Sequence, residues 1–189
     1  MSNSQPVCVI NGVGPGNGAA FARRFAAAGY RVALIARSAD FCDSLVAEIG
    51  DSVHAYQCDI GDPTGVSETF ARIRETLGPV EVLLHNAGAG IWGDFESLEL
   101  SAFEQSWRVN TLGLVAAARA VAPEMRRAGH GSIVVTGAPA SRRGAAKTAA
   151  FASAKGAQRN LPEAPAKQLR PGGNPRPPLL NGGPGESPP

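Results

Sequence analysis

Gly12-Val13-Gly14-Pro15-Gly16-Asn17-Gly18 places four glycines within seven residues. An apolar run, Val7–Ile10, precedes them, and small and apolar residues at helical spacing, Ala19–Ala28, follow. Glycines at such a junction let the backbone approach a bulky anion, and the start of a helix adds unpaired amides and a favourable dipole. The chemistry expected is the holding of a pyrophosphate, with Gly12, Gly14, Gly16, Asn17 and Gly18 as its contacts. A tight turn that binds nothing is the alternative. Where the next apolar run ends, Ala36-Arg37-Ser38 offers a base and no acid. An acidic residue there would bind the ribose hydroxyls of NAD, whereas the planar donor fork of an arginine suits the 2′-phosphate of NADP. NADP(H) is therefore expected over NAD(H), with a merely solvent-facing Arg37 as the alternative.

Other reactive types form no constellation. Cys8, Cys42 and Cys58 are widely spaced with no CxxC, which fits a reducing compartment and neither a disulfide framework nor a zinc site. His54, His85 and His130 do not cluster, so no metal site is expected. His85 ends an apolar run and is expected to be structural, with a place near the cofactor as the alternative. A formal net charge of +2 with scattered arginines gives no reason to expect nucleic acid or an anionic membrane. No apolar stretch is long enough to span a membrane, and Met1 to Pro6 has no apolar signal region. The protein is read as cytoplasmic.

The elements that must position these residues alternate regularly. Strands are expected at Val7–Ile10, Arg31–Ala36, Val53–Cys58, Val80–His85 and Ser132–Thr136. Helices are expected at Ala19–Ala28, Phe41–Ile49, Thr64–Leu77, Ala102–Ala128 (one long or two abutting) and from Ala149 to Leu161. Strand–helix alternation at this spacing implies βαβ crossovers and a parallel sheet, with ligands beyond the carboxyl ends of its strands. The expected fold is α/β: a three-layer Rossmann fold lacking the last strands, with residues 1–161 as a dinucleotide-binding domain. Of the last 29 residues, 9 are proline and 5 glycine. Residues 162–189 are read as a disordered tail, since prolines break the helix and little apolar surface offsets the ordering entropy. A Pro-rich ligand for a partner domain is the alternative for this segment.

The spacing Gly12, Gly16, Gly18 is GxxxGxG, and it resembles the TGxxxGxG turn of the short-chain dehydrogenase/reductase family, with Asn11 at the Thr position. Asn86-Ala87-Gly88 matches the family's NAG motif. Asp59, with Ile60 after it, stands where the family places an Asp near the adenine. Asn110 matches its mid-helix Asn, and Lys155 the Lys of its YxxxK. The resemblance covers residues 5–161. It implies cofactor contacts from Asp59, Ile60, Asn86, Ala87, Gly88 and Lys155, and hydride transfer between NADP(H) and a carbonyl/alcohol pair. A family tyrosine exchanges the proton with the substrate oxygen and a serine positions that oxygen. Lys155 would hold the nicotinamide ribose, and Asn110 a proton-relay water.

Two departures follow from the same resemblance. Counting back from Lys155, the Tyr position is Phe151 and the Ser position is Ala138, so both hydroxyls are absent. Thr136 and Ser141 are the candidate substitutes, and ordinary strand-end and loop roles are the alternative for both. Family members also continue further, adding strands and a substrate loop, whereas here the Pro/Gly segment follows. A non-catalytic NADP(H)-binding protein and an unstable fragment therefore stand beside the oxidoreductase reading. The resemblance places self-association on the helices around Asn110 and Phe151, and implies a weak homodimer rather than a robust tetramer.

Overall fold

A computed structural model describes residues 5–161 and 180–181. Its order is β1 (Val7–Asn11), α1 (Asn17–Ala27), β2 (Arg31–Ala36), α2 (Asp40–Ile49), β3 (Val53–Gln57), α3 (Pro63–Leu77) and β4 (Val80–His85). Then come α4 (Leu100–Trp107), a π-helical turn (Arg108–Leu112), α5 (Gly113–Ala128), β5 (Ser132–Thr136), a 3₁₀ turn (Pro139–Ser141), α6 (Ala149–Asn160) and β6 (Leu180–Asn181). The strands form one parallel sheet in the order β3-β2-β1-β4-β5-β6.

Strand side chains alternate between two faces, and each face is covered. Val7, Val9, Ala33, Ile35 and Leu83 point to one core, closed by Val66, Phe70 and Ile73 of α3 and by Ala117 and Val121 of α5. Cys8, Ile10, Val32, Leu34 and Leu84 point to the other, closed by Ala19 and Ala22 of α1 and Leu45 of α2. The near-continuous apolar runs of the strands follow from this double coverage. All three cysteines are free and buried. Burial raises the thiol pKa of each, so each sits in the core as a small apolar group.

Chain order reverses between β1 and β4, leaving a crevice beyond the carboxyl ends of these neighbours. The elements around it start and stop for local reasons. Asp62 caps α3, its side chain accepting from the Thr64 amide at 3.1 Å, and Pro63 opens the first turn. The long stretch read from Ala102 to Ala128 begins at Leu100 and runs as α4 and α5 joined by the π turn. It ends at Gly129 in the left-handed conformation.

Beyond β5 the sequence predicts no strand, yet Leu180–Asn181 pairs with Val135–Thr136 as a two-residue sixth strand. The two adjacent leucines, too few for a helical or strand period, gave no signal for it. The rest of the expected tail lies outside the described residues.

Candidate functional site

The glycine loop is shaped by contact on one side and space on the other. Gly12 has φ +83°, and a Cβ there would lie 2.4 Å from Ala87 Cα and 2.5 Å from Ala87 N. Only glycine permits this backbone-to-backbone approach. Gly12 N and Val13 N both donate to Ile35 O, at 2.9 and 3.2 Å. At Gly18 a Cβ would meet Val13 Cα at 2.8 Å, so α1 starts tightly against the loop. Gly14 and Gly16, in contrast, have nothing within 4 Å of a Cβ position. The α1 N-terminus carries no side-chain cap and no acidic residue in its first turn. Open space over unsatisfied amides fits a pyrophosphate.

Asn86 fixes this loop to the rest of the crevice. Its Nδ2 donates to Gly12 O at 2.7 Å, and its Oδ1 accepts from Thr136 Oγ1 at 3.0 Å. Its backbone amide donates to Asn11 O at 2.9 Å. One side chain thus ties the ends of β1, β4 and β5 together. Ala87 is buried under Gly12 and Gly88 is exposed above it. Arg37 leaves β2 exposed, and among the described residues its guanidinium makes no ion pair, while its carbonyl accepts from Gln57 Nε2 at 2.9 Å. Asp59 follows β3, exposed, with Oδ1 accepting from the Gly61 amide at 2.9 Å. Ile60 is buried against Gly113.

Asn110 and Lys155 come together deeper in the crevice. Asn110 is buried in the π turn, a form of helix that recurs at functional sites. Its Nδ2 donates to Ser106 O at 2.8 Å and Ala89 O at 3.1 Å, while Oδ1 has no partner. Lys155, on α6, donates from Nζ to Gln158 Oε1 at 2.7 Å and to Thr136 O at 3.0 Å. It is 5% exposed and in no ion pair among the described residues. Burial pushes its pKa down to about 8. Asn110 Oδ1 and Lys155 Nζ flank one point, 3.3 and 3.8 Å from a Cβ placed on Gly88.

Of the two substituted positions, Phe151 is adjacent to this pair. Phe151 lies one turn before Lys155 with its ring centroid 5.8 Å from Nζ. Trp92 packs on the same ring, 5.1 Å between centroids and tilted by 48°. Ala138 precedes the 3₁₀ turn. Neither position carries a hydroxyl. Of the candidate substitutes, Thr136 is engaged, its hydroxyl donating to Asn86. Ser141 is half-buried and its hydroxyl makes no hydrogen bond among the described residues.

Four residues make contacts here that no sequence motif specifies. Asn11 and His85 are fully buried, paired across β1 and β4, with Asn11 Nδ2 3.2 Å from His85 Nδ1. Burial, and then the charge of Lys155, push the His85 pKa down to about 3, so the imidazole is neutral. Gln158, the acceptor for Lys155, is three residues further along α6 and readable in principle from helical spacing. Trp92 lies on the segment after β4, far in sequence from the ring it packs on. Among the described residues, no group of three His, Cys, Asp or Glu side chains could hold a metal ion, and no helix is long and apolar enough to cross a membrane.

Comparison with known proteins places this geometry. The family profile described as short chain dehydrogenase matches residues 6–173. A 2,3-dihydro-2,3-dihydroxybenzoate dehydrogenase from Bacillus subtilis is 30% identical over 154 residues, covering 80% of this chain and 59% of the relative. Among solved structures, a short-chain dehydrogenase from Streptomyces avermitilis superposes with a TM-score of 0.84 at 30% identity, covering 89% of this chain and 62% of that one. An alcohol dehydrogenase from Thermococcus sibiricus, complexed with 5-hydroxy-NADP, gives 0.80 at 31% identity, covering 87% and 72%. The chain thus spans somewhat over half the length of the curated relative. The match over most of its described length, on a parallel sheet with the glycine turn at the switch point, shows that the chain belongs to the short-chain dehydrogenase/reductase family.

Proposed function

We propose that this chain is an NADP(H)-binding oxidoreductase of the short-chain type, acting between a carbonyl and its alcohol. The observation that carries the reading is the cradle itself: Gly12 pressed on Ala87, with open space at Gly14 and Gly16 over an uncapped helix start. In this reading the loop and the first amides of α1 hold the pyrophosphate. Arg37 faces the 2′-phosphate, which favours NADP(H), and the Thermococcus relative was solved with an NADP derivative. Asp59 and Ile60 flank the adenine side, Asn86 to Gly88 form the floor, and Lys155 holds the nicotinamide ribose. The bound dinucleotide supplies the hydride. The chain's own residues orient the substrate oxygen and handle its proton.

Proton handling is where this chain departs. Phe151 has no proton to give and Ala138 cannot hydrogen-bond, and loss of a positioned acid removes about 10²–10⁴-fold of rate. Those two positions, with Trp92 packed on Phe151, favour a second reading, a protein that binds the cofactor without turning it over. Self-association is proposed to be no stronger than a weak homodimer. Titration with NADPH and a carbonyl substrate separates the two readings. Saturable binding with slow turnover supports the oxidoreductase, binding alone supports the second reading, and no binding on a folded sample contradicts both.

A further inference from the structure

We propose that the exposed face of Trp92 is the wall against which this chain seats its substrate, and that the substrate is a carbonyl compound, or its alcohol, carrying a flat aromatic ring; the proposal rests on the oxidoreductase reading above. Among the described residues four large apolar side chains are exposed: Trp92, Phe95, Leu100 and Trp107. Three of them belong to α4 and its approach. Phe95 meets Phe103 edge-on, 6.4 Å between centroids, and Leu100, Phe103 and Trp107 follow one another at helical spacing. Trp92 alone packs on a crevice residue. Its ring lies on that of Phe151, which stands one turn before Lys155 on α6. Trp92 nonetheless remains 58% exposed. An open indole face therefore borders the position that the family resemblance gives to the substrate-facing phenol.

The indole is held in place from two sides. One edge lies over Gly90, where a Cβ would come within 3.2 Å of Nε1 and 3.4 Å of Cε2 and Cζ2, so a side chain at 90 would press on the ring. The next residue, Gly93, donates its amide to Lys147 O at 3.0 Å, which ties the segment after β4 to the loop before α6. A ring braced in this way loses little further freedom when a ligand stacks on it. Charge does not select the ligand here. Asp94 and Lys147, beside that tie, are exposed, of opposite sign and in no ion pair among the described residues. The wall offers apolar area and a π face. An aromatic ring conjugated to a carbonyl is electron-poor, and it stacks offset on the electron-rich indole. A saturated ring of the same size covers similar apolar area without that contact. The difference corresponds to about threefold to tenfold in affinity.

The test reads binding without turnover, by offering a ketone together with NADP⁺, which has no hydride to give. The chain has two tryptophans, Trp92 and Trp107, so ¹⁵N labelling gives two indole N–H signals, and Trp107→Phe leaves only that of Trp92. With NADP⁺ bound, acetophenone is expected to shift the Trp92 signal saturably and to leave that of Trp107 in place. Its Kd is expected to lie about threefold to tenfold below that of cyclohexyl methyl ketone, its saturated counterpart. Trp92→Leu keeps apolar bulk without a π face, and is expected to bring the two ketones to parity by saturation-transfer NMR on the ligands. Trp92→Phe, which restores a face, is expected to restore the preference. Calorimetry with NADP⁺ on each variant checks that the cofactor site stands. Four results each overturn this proposal alone: equal Kd values for the two ketones or no saturable binding of either, a preference that survives Trp92→Leu, acetophenone binding that leaves the Trp92 signal unmoved, or a Trp92 signal that shifts with protein concentration before any ketone is added, which places a second copy on the ring. Failure of the folded protein to bind either NADP⁺ or NADPH removes the oxidoreductase reading, and this proposal with it.

Discussion

Asn86 holds the crevice together through two hydrogen bonds made by one amide, to Gly12 O and from Thr136 Oγ1. Asn86→Ala leaves both partners short of a hydrogen bond in a half-buried place, at a cost of roughly 1–3 kcal/mol. The melting temperature is expected to fall and NADPH affinity to weaken together, which thermal melts and calorimetry check in one sample. At the two positions that lack hydroxyls the direction is opposite. The double change Phe151→Tyr, Ala138→Ser supplies the two absent hydroxyls, and carbonyl reduction is expected to rise by about 10²–10⁴-fold. An unchanged rate in a variant that binds NADPH normally would show that these positions do not face the substrate. The types of these residues were legible in the sequence, since Asn86, Asn110 and Lys155 stand at motif positions. Their partners were not. Nothing in the local sequence announces that Thr136 is spent on Asn86, that Trp92 packs on Phe151, or that Asn11 meets His85, because each contact joins different elements.

At the scale of elements, the glycine loop separates what the fold needs from what a ligand needs. Gly12 must be glycine for the fold, because a Cβ there would collide with Ala87 backbone. Gly16 faces open space, so a Cβ is tolerated by the empty protein and intrudes only on an occupant. Gly12→Ala is therefore expected to lower the melting temperature sharply. Gly16→Ala is expected to leave it unchanged while weakening NADPH about tenfold or more, or about 1.4 kcal/mol. Equal loss of stability in both would contradict the cradle. Apolar runs and helical spacing predicted the five main strands and five helical stretches, the fourth left open as one long helix or two abutting ones, with ends displaced by one or two residues. The π turn escaped, because nothing in the residue pattern of Arg108–Leu112 distinguishes it from the helices on either side. The short β6 escaped because two leucines have no period to read.

For the whole molecule, burial of His85 makes the fold sensitive to acid. His85 is fully buried and its folded pKa, about 3, is below the ordinary 6.5, so the unfolded chain binds the proton more readily. Stability from this residue is complete above about pH 6.5 and declines as pH falls toward 3, by on the order of 5 kcal/mol in total. Urea unfolding at pH 7 and pH 4 is expected to show a smaller loss in His85→Gln than in the parent protein. Equal losses would place the acid sensitivity elsewhere. The strand ends that bury His85 are also those that build the cradle, so pH stability and cofactor binding share one region. The measurement that reaches furthest is calorimetric titration of the folded chain with NADPH and with NADH. Micromolar binding of NADPH, with NADH at least about tenfold weaker and the preference lost in Arg37→Asp, is the predicted result. A cooperatively folded sample that binds neither dinucleotide would contradict the account at its centre.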